Sequence, residues 1–261
     1  KKGFLKLLTR FSDQARFRIQ RKTNYFEGVN AFNPFVTEIN DTNLISTNSN
    51  IRNTIFFNRT NSIFGADYTF QDTRSKTLLA SGFDSRTNKF HEVKVRWNIK
   101  RKFTLELLSG TGSRSTNADY TSGRNYNIEF VSLEPKLIFQ PNTIFRISLE
   151  ARGSEKRNAQ ELGGELSTVM EMGSTFKLNQ REKGSFQGNI RAVNIRYSGE
   201  QNSALGFEML EGLKPGLNFT WNLGYQRSIS RNLQLSIQYQ GRKSEDNRTI
   251  HSGGMEVRAL F

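Results

Sequence analysis

The sequence predicts an all-β fold, a transmembrane antiparallel up-and-down β-barrel of about 12 strands within a range of roughly 10 to 14. Three observations predict it: the chain ends in a run of period two that finishes on an aromatic residue, the same alternation recurs upstream, and short and long connections alternate. The apolar residues of the last run share one face and are Met255, Val257, Ala259 and Phe261.

The individual strands are predicted where apolar residues occupy every second position. A weak first run over Ala15, Phe17 and Ile19 is followed by clearer runs at 64–71, 92–99, 102–107, 146–152, 171–178, 217–226 and 233–240. The last two are about ten residues long, which is enough to cross a bilayer at barrel tilt. Phase slips near Phe130 to Leu133 and near Ala192 to Val193 predict β-bulges.

The connections between these runs differ in length on the two sides. The short ones are Asn58 to Ser62, Lys100 to Lys102, Gln140 to Thr143, Gln180 to Gly184 and Ser230 to Asn232. The long ones are Leu79 to Asn88, Gly110 to Arg124, Gly153 to Gly164, Gly199 to Gly216 and Gly241 to Thr249. Outer-membrane barrels have short periplasmic turns and longer exterior loops, so both chain ends are predicted on the periplasmic side.

The composition excludes several classes. Hydrophobic residues make up 35% of the chain and the mean hydropathy is −0.63, and no run approaches the roughly 18 apolar residues of a transmembrane helix. A barrel needs none, because only every second residue meets lipid. The absence of cysteine excludes disulfides, thiolate zinc sites and cysteine nucleophiles.

The net charge of +14 has two interpretations. A basic surface can bind nucleic acid, or it can face the anionic headgroups of lipids and the phosphates of lipopolysaccharide. No basic helix, RNP-like motif or zinc finger supports the first interpretation. We therefore expect outer-membrane lipid and lipopolysaccharide as partners, and no nucleic acid.

The domain organisation is predicted to be simple, with 1–261 as a single barrel domain. The chain begins with Lys1 instead of Met, and its first apolar run is too short for a signal peptide. We expect it to be the C-terminal part of a longer protein.

Several stretches are similar in sequence to one family of proteins. They are 207–216, 218–222, 241–245 and 251–261, with 82–86 and 97–98 earlier in the chain. Together they resemble the C-terminal β-barrel region of large uncharacterised outer-membrane proteins of Bacteroidota, over about Phe32 onward. The resemblance implies the outer membrane of a Gram-negative, Bacteroidota-like bacterium and a longer parent chain. It transfers no catalytic residue. By analogy with other barrels of this phylum, a subunit of secretion, assembly or uptake machinery is plausible.

The candidates for catalysis and metal binding are few. His91 and His251 fall at strand ends near the predicted outer rim, where a base could activate a hydroxyl group or water. Strand-end histidines are usually only solvated, and no HExxH, GxSxG or phosphate-cradling glycine loop is present. The loop carboxylates Glu155, Glu161, Glu165, Glu245 and Asp246 lack EF-hand spacing. We predict a non-enzyme without catalytic residues, cofactor or metal.

The positions between the apolar residues are predicted to face a lumen. They comprise Arg16, Arg18, Arg52, Lys94, Arg96, Lys136, Arg146, Arg152 and Lys177, with Asp67, Glu92, Glu106, Glu134, Glu150 and Glu171. One interpretation is a ladder of opposite charges paired across strands, which fills a narrow barrel. The other is a weakly anion-selective channel, because cations outnumber acids. The ladder is favoured.

Three functions follow from these observations. The leading one is a non-enzymatic membrane anchor or a subunit of an outer-membrane complex for secretion, assembly or uptake. The alternative is a porin-like small-solute channel with weak anion preference, and the third is a surface-facing hydrolase. The terminal Met255, Val257, Ala259 and Phe261 would also serve as the insertion signal for the barrel-insertion machinery, as the resemblance implies.

Overall fold

A computed structural model of the chain describes residues 8–24, 43–120, 122–180, 184–230, 232–245 and 247–259. Within these ranges the chain is almost entirely β-structure, because β-branched and aromatic residues alternate with polar ones over long runs. The strands are β1 (Phe11–Thr23), β2 (Leu44–Phe57), β3 (Phe64–Leu79), β4 (Gly82–Lys100), β5 (Phe103–Ala118), β6 (Tyr126–Phe139), β7 (Phe145–Asn158), β8 (Leu166–Gln180), β9 (Gly184–Tyr197), β10 (Gly216–Ser230), β11 (Leu233–Ser244) and β12 (Ile250–Ala259).

These strands form a single antiparallel meander. Each strand pairs with the next one in the chain, so the order across the 12-stranded sheet is the order of the sequence, with β1 and β12 at its two ends. The prediction of an all-β, antiparallel up-and-down fold with about twelve strands is confirmed. A short helix, α1 (Ala204–Met209), lies between β9 and β10. None of the helices in the described ranges has the length and apolar character needed to cross a bilayer.

Four of the predicted long connections are shorter than expected. The predicted loop from Leu79 to Asn88 is wrong, since β3 continues to Leu79 and β4 begins at Gly82, which adopts a positive φ of 109° at the turn. The predicted loops 110–124, 153–164 and 241–249 shrink in the same way to 119–125, 159–165 and 245–249. Polar Thr, Ser, Arg and Lys residues continue these ladders through their backbones, and such residues give no apolar alternation to detect. The connection between β9 and β10 remains long, over 198–215.

Cross-strand neighbours share a face of the sheet, and the two faces differ in chemistry. On one face, Ala151 lies opposite Met172, which lies opposite Ala192, which lies opposite Phe219. On the other face, Lys136 lies opposite Glu150. We call these the apolar face and the polar face.

Burial is inverted between the two faces. On the apolar face Leu149 is 55% exposed and Met172 is 73% exposed, whereas on the polar face Ser148 and Thr69 are each 4% exposed. The polar face is therefore the enclosed one, as in a sheet that curves with its polar side inward.

The predicted β-bulges are wrong. The pairings of β6 with β5 and of β9 with β8 and β10 keep a constant register through 130–133 and 192–193. The described register shifts fall near strand ends, between Lys22 and Thr23, Asn98 and Lys100, and Ser228 and Ser230. The phase slips have another cause: Phe130 and Val193 are apolar residues on the polar face. Val193 packs against Leu210 of the connection between β9 and β10, and Phe130 lines a cavity together with Phe207 of that connection.

Candidate functional site

The connection 198–215, which we call the β9–β10 loop, folds back onto the polar face. Its helix α1 starts at Ser203, whose hydroxyl oxygen accepts a hydrogen bond of 2.9 Å from the backbone N–H of Gly206. The helix ends where the N–H of Leu210 donates to the carbonyl of Gly206. Glu211 and Gly212 then adopt positive φ angles of 54° and 74°. A left-handed conformation is uncommon for glutamate and directs attention to its side chain.

An apolar seat on the sheet receives this loop. Leu210 is 3% exposed and packs with Val169, Val193 and Ile195 in one buried cluster. The neighbouring Met209 is fully buried, and its carbonyl accepts a hydrogen bond of 3.1 Å from the hydroxyl of Ser167. Burial of these side chains stabilises the folded-in loop, at about 1.5–3 kcal/mol for each large side chain removed from water.

Charged contacts hold the end of the loop to β7. Arg152 donates two hydrogen bonds to the Glu211 carboxylate, with Nη1–Oε2 and Nη2–Oε1 distances of 2.9 and 2.8 Å. Lys156 Nζ lies 2.8 Å from Glu211 Oε1 and donates to the carbonyl of Glu208 at 3.3 Å. The Glu208 carboxylate forms an ion pair with Arg114 on β5. Planar two-point pairing of arginine with a carboxylate is among the stronger polar contacts in proteins.

These cations set the protonation state of Glu211. Burial alone raises the pKa of its carboxyl group, whereas the hydrogen bonds from Arg152 and Lys156 and their positive charges lower this pKa. The lowering effects outweigh the burial, and the pKa falls to about 2 from an ordinary value of 4.5. Glu211 is therefore ionised at every physiological pH. We call the contacts of Glu211 with Arg152 and Lys156 the Glu211 latch.

Beside the latch the polar face carries a row of ion pairs. The pairs are Lys94–Glu106 at 3.8 Å, Lys136–Glu150 at 3.2 Å, Arg152–Glu134 at 3.2 Å, Arg152–Glu171 at 3.9 Å and Arg191–Glu171 at 3.4 Å. They line a cavity of about 340 Å³ in which the two signs alternate. This is the geometry of the predicted charge ladder, and it leaves little uncompensated charge in this part of the face.

Cross-strand register puts all of the predicted lumen-facing charges on the polar face. They are Arg16, Arg18, Arg52, Lys94, Arg96, Lys136, Arg146, Arg152 and Lys177, with Asp67, Glu92, Glu106, Glu134, Glu150 and Glu171. Within the described ranges Arg16, Arg18 and Arg146 form no ion pair, so the ladder belongs to the middle strands. That this face surrounds a lumen stays a prediction.

The predicted insertion signal lies on the edge strand of the sheet. Met255 and Val257 are on the apolar face of β12, opposite Ile237 and Leu235, and Ala259 is opposite Leu233. The fourth residue of the signal, Phe261, lies outside the described residues.

The two histidines occupy similar surroundings far apart on the apolar face. His91 Nδ1 is 2.7 Å from the Tyr68 hydroxyl oxygen, and His251 Nδ1 is 2.8 Å from that of Tyr239. Neither histidine forms an ion pair with a carboxylate of the described residues. No group of three or more potential metal ligands occurs in the part of the chain that the structure describes. Glu165 and Glu245 instead accept hydrogen bonds from Asn158 and from the N–H of Leu217.

The sequence did not single out Lys156, Glu208 or Glu211 as site residues. A usable signal was present, because the phase slips at Phe130 and Val193 mark the sites where the loop covers the sheet. A break in the alternation is explained either by a β-bulge or by a segment of the chain that packs over an apolar residue on the polar face. Alternation alone does not distinguish these two cases.

Comparisons with known proteins were made for the sequence and for the fold. No family model matches the chain. Terpene synthase 4 of Dictyostelium discoideum is 27% identical over 171 residues, which are 66% of this chain and 44% of that protein. The matched region thus spans less than half of that relative, and identity at this level does not place the chain in its family. The translocator domain of the autotransporter NalP from Neisseria meningitidis aligns with a TM-score of 0.35 and 13% identity, over 83% of this chain and 80% of that one.

Proposed function

We propose that the chain is an outer-membrane β-barrel domain that acts as a non-enzymatic membrane anchor or as a subunit of an outer-membrane complex. The observation that carries the proposal is the inverted burial of the sheet, with large apolar side chains exposed on one face and small polar ones buried on the other. A protein in water would expose the opposite set, whereas lipid is the solvent that suits an exposed apolar face.

The dimensions of the apolar face support this placement. On β8 the outward apolar positions run from Met170 to Leu178, which is about 27 Å along the strand. The apolar band of outer-membrane barrels is roughly 25 Å tall. Ring pairs border it on the side of the short turns, with Phe103–Phe139 and Phe176–Phe186 centroids 4.7 and 5.3 Å apart. Tyr68 and Tyr239 border the opposite side, as in an interfacial aromatic girdle.

In a membrane, the two edge strands β1 and β12 would need partners for their unpaired backbone groups. Unpaired backbone N–H and C=O groups cost several kcal/mol each in the bilayer core, so an open edge does not persist there. We infer that β1 and β12 pair with each other and close the barrel. The faces of the two strands match: Arg16, Arg18 and the Glu256–Arg258 ion pair lie on the polar face, while Phe17 and Met255 lie on the apolar face.

The filled interior favours an anchor over the small-solute channel. The β9–β10 loop is held against the polar face by the Glu211 latch, and the ion pairs beside it satisfy each other. A conducting pore with anion preference would need an open path lined by surplus cations. The partners that we propose are outer-membrane lipid and lipopolysaccharide, the barrel-insertion machinery and other outer-membrane subunits. The family resemblance adds a Bacteroidota-like source.

The experiment is export and reconstitution. The chain is expressed behind a cleavable export signal in a Gram-negative host, its outer membranes are washed with alkaline carbonate, and the purified protein is placed in planar bilayers. We expect it to stay in the washed membranes and to give no steady current. Recovery as a soluble periplasmic protein would refute the membrane role, and a steady, salt-dependent current would refute the anchor in favour of the channel.

A pair of variants tests the assignment of the faces. Leu149→Asp places a charge on the apolar face and is expected to reduce membrane recovery. Gln187→Asp places the same charge on the polar face, where Gln187 is exposed, and is expected to leave recovery unchanged. Equal recovery of the two variants would contradict the assignment.

A further inference from the structure

We propose that the polar face of β1 and β2 carries a binding site for the phosphate group of a small, water-soluble sugar phosphate. The cationic part of the site consists of Arg16 and Arg18 on β1 and Arg52 on β2, which we call the arginine cluster. The proposal goes beyond the proposed function and rests on it, because the site needs the polar face to be the inner side of a closed barrel.

Strand register brings the three arginines together. Arg16 lies directly opposite Arg52, and Arg18, which is opposite Asn50, follows two residues later on the same face. Directly opposite residues have Cβ atoms about 4.5–5.5 Å apart, and diagonal neighbours such as Arg18 and Arg52 are about 7–8 Å apart. Arginine side chains are long enough to span these spacings, so all three guanidinium groups can reach one ligand.

The arginine cluster has no counter-charge in the part of the chain that the structure describes. None of its guanidinium groups forms an ion pair there, and all three residues are exposed. The acidic residues on this side of the polar face have other neighbours. Asp67 lies opposite Lys94, and Glu256 on β12 is paired with Arg258 at 2.9 Å. Glu92 is on β4, two strands away from β2.

The Arg16–Arg52 pair is unfavourable without a ligand, because like charges directly opposite each other destabilise a sheet. Elsewhere on the same face, register places opposite charges together, as in the pair of Lys136 with Glu150 at 3.2 Å. An anion between the arginines would remove the repulsion. Three neighbouring cations without an anion therefore indicate a binding site for one.

Three arginines suit a phosphate group better than a carboxylate. A phosphate monoester offers three acceptor oxygens and carries a charge of about −1.5 to −2 at pH 7. A carboxylate has two oxygens, and one planar guanidinium group can engage both of them. Three guanidinium groups can therefore share one phosphate group, whereas a single carboxylate would leave part of the cluster without a partner.

An uncharged wall on the last two strands suits the sugar. Gln238, Gln240 and Ser252 lie on the polar face of β11 and β12 and line a cavity of about 380 Å³. Their side chains form no hydrogen bond within the described ranges, and amides and hydroxyls can both donate to and accept from sugar hydroxyl groups. Gly254 adds space beside them, since a Cβ built there would have no atom within 4 Å.

Barrel closure would place the uncharged wall beside the arginine cluster. The two surfaces lie at the two ends of the sheet, on β11–β12 and on β1–β2. When β1 pairs with β12, as we infer, the polar face of one strand continues into that of the other. The cluster then binds the phosphate and the wall binds the hydroxyl groups of the same molecule. Since both surfaces are polar, the ligand is a soluble molecule and not a lipid.

The test measures binding by the purified full chain in neutral-detergent micelles, with isothermal titration calorimetry as the readout. The probes are glucose 6-phosphate, glucose, glucuronate and inorganic phosphate. We expect glucose 6-phosphate to bind about tenfold or more tightly than each of the other three, because it alone engages both the cluster with a phosphate and the wall with hydroxyl groups.

Variants connect the phosphate to the arginine cluster. Arg16→Gln and Arg52→Gln are each expected to weaken the binding of glucose 6-phosphate about tenfold. Without ligand, neither should lower the melting temperature, because each removes a contact between like charges. The matched control is Arg146→Gln, since Arg146 is an exposed arginine of the same face that lies opposite a single cation, Lys177, on β7 and β8. It is expected to leave the affinity unchanged.

The outcomes separate this site from the membrane role. Glucose, glucuronate or inorganic phosphate binding as tightly as glucose 6-phosphate would overturn the site. So would an equal loss of affinity in all three variants, which would indicate attraction by net charge alone. A marked drop in the melting temperature of unliganded Arg16→Gln and Arg52→Gln would assign the arginines a structural role instead. Each of these results leaves membrane recovery intact, whereas a chain that fails to enter the outer membrane would refute both proposals.

Discussion

Arg152 and Glu211 are 59 residues apart in the chain and are joined by two hydrogen bonds of 2.9 and 2.8 Å. The same guanidinium group lies 3.2 Å from Glu134 and 3.9 Å from Glu171. Arg152 is therefore the point at which the charge ladder of the sheet meets the β9–β10 loop. A change at Glu211 reaches the ladder through a single side chain.

Replacement of Glu211 by glutamine should release the loop. The substitution leaves Arg152 and Lys156 without their closest counter-charge, and loss of a charged hydrogen-bond partner costs about 1–3 kcal/mol. We expect faster proteolysis within 198–215 in the reconstituted protein and, if the loop leaves the interior, the appearance of current in planar bilayers. Glu200→Gln is the control, because Glu200 is an exposed residue of the same loop whose carboxylate forms no hydrogen bond or ion pair within the described ranges. Equal proteolysis of the two variants would contradict the latch.

The latch should weaken only in strong acid. The pKa of Glu211 is lowered to about 2 in the folded protein from 4.5, so the released loop binds protons more readily than the latched one. The contact is therefore fully present above pH 4.5, weakens as the pH falls below this value, and is lost as the pH falls through about 2. Protease protection of the loop, measured with an acid-active protease, should follow this window in the wild type. Glu211→Gln should show no change in the window, and a wild-type transition near pH 6 would exclude Glu211 as the titrating group.

Closure of the barrel can be tested with cysteine pairs, since the chain has no cysteine of its own. Met255→Cys is combined with Ala15→Cys, Phe17→Cys or Ile19→Cys, all on the apolar faces of the end strands. If β1 and β12 pair, at least one combination brings its Cα atoms within the roughly 7 Å that a disulfide allows. We expect oxidation in isolated outer membranes to cross-link that chain internally. Met255→Cys with Ile190→Cys is the control, because β9 and β12 are about 14 Å apart. Cross-links only to other proteins would show that the end strands pair with a partner instead.

Deletion of Phe261 should impair insertion more than any other property. The residue ends the predicted insertion signal and lies beyond the described part of β12, so the expectation comes from the sequence and its resemblance. We expect several-fold less protein in the outer membrane, with periplasmic accumulation, measured by fractionation. Phe261→Tyr retains the aromatic ring and should insert normally. Wild-type assembly of the truncated chain would refute the signal.

Much of the fold could be predicted from the sequence, because apolar side chains on one face and polar side chains on the other impose a strict period of two. Residues such as Leu149 and Glu150 reveal their faces directly. The strand ends were harder to predict, because both faces of the sheet are polar beyond the apolar band. Residues 82–90, for example, pair as part of a strand although apolar and polar residues do not alternate there. The sequence indicated that the loop 198–215 is long. It did not indicate that this loop folds back onto the polar face.

The candidate site was only half predictable. Arg152 and its ladder partners follow from strand register, since an even offset along a strand keeps a residue on the same face. The latch joins residues that no local pattern connects, and alternation gives no information on what covers a face. The phase slip at Ala192 to Val193 was accordingly interpreted as a bulge, although Val193 packs against Leu210 of the loop.

The β9–β10 loop leaves and rejoins the sheet at two strands that already pair with each other over residues 185–195 and 216–226. Its release would break no backbone ladder, and the eleven pairings of the meander would stay as they are. The backbone pairing of the sheet thus does not depend on the position of the loop. We therefore expect the twelve strands to pair as before when residues 198–215 are replaced by a segment of different length and chemistry.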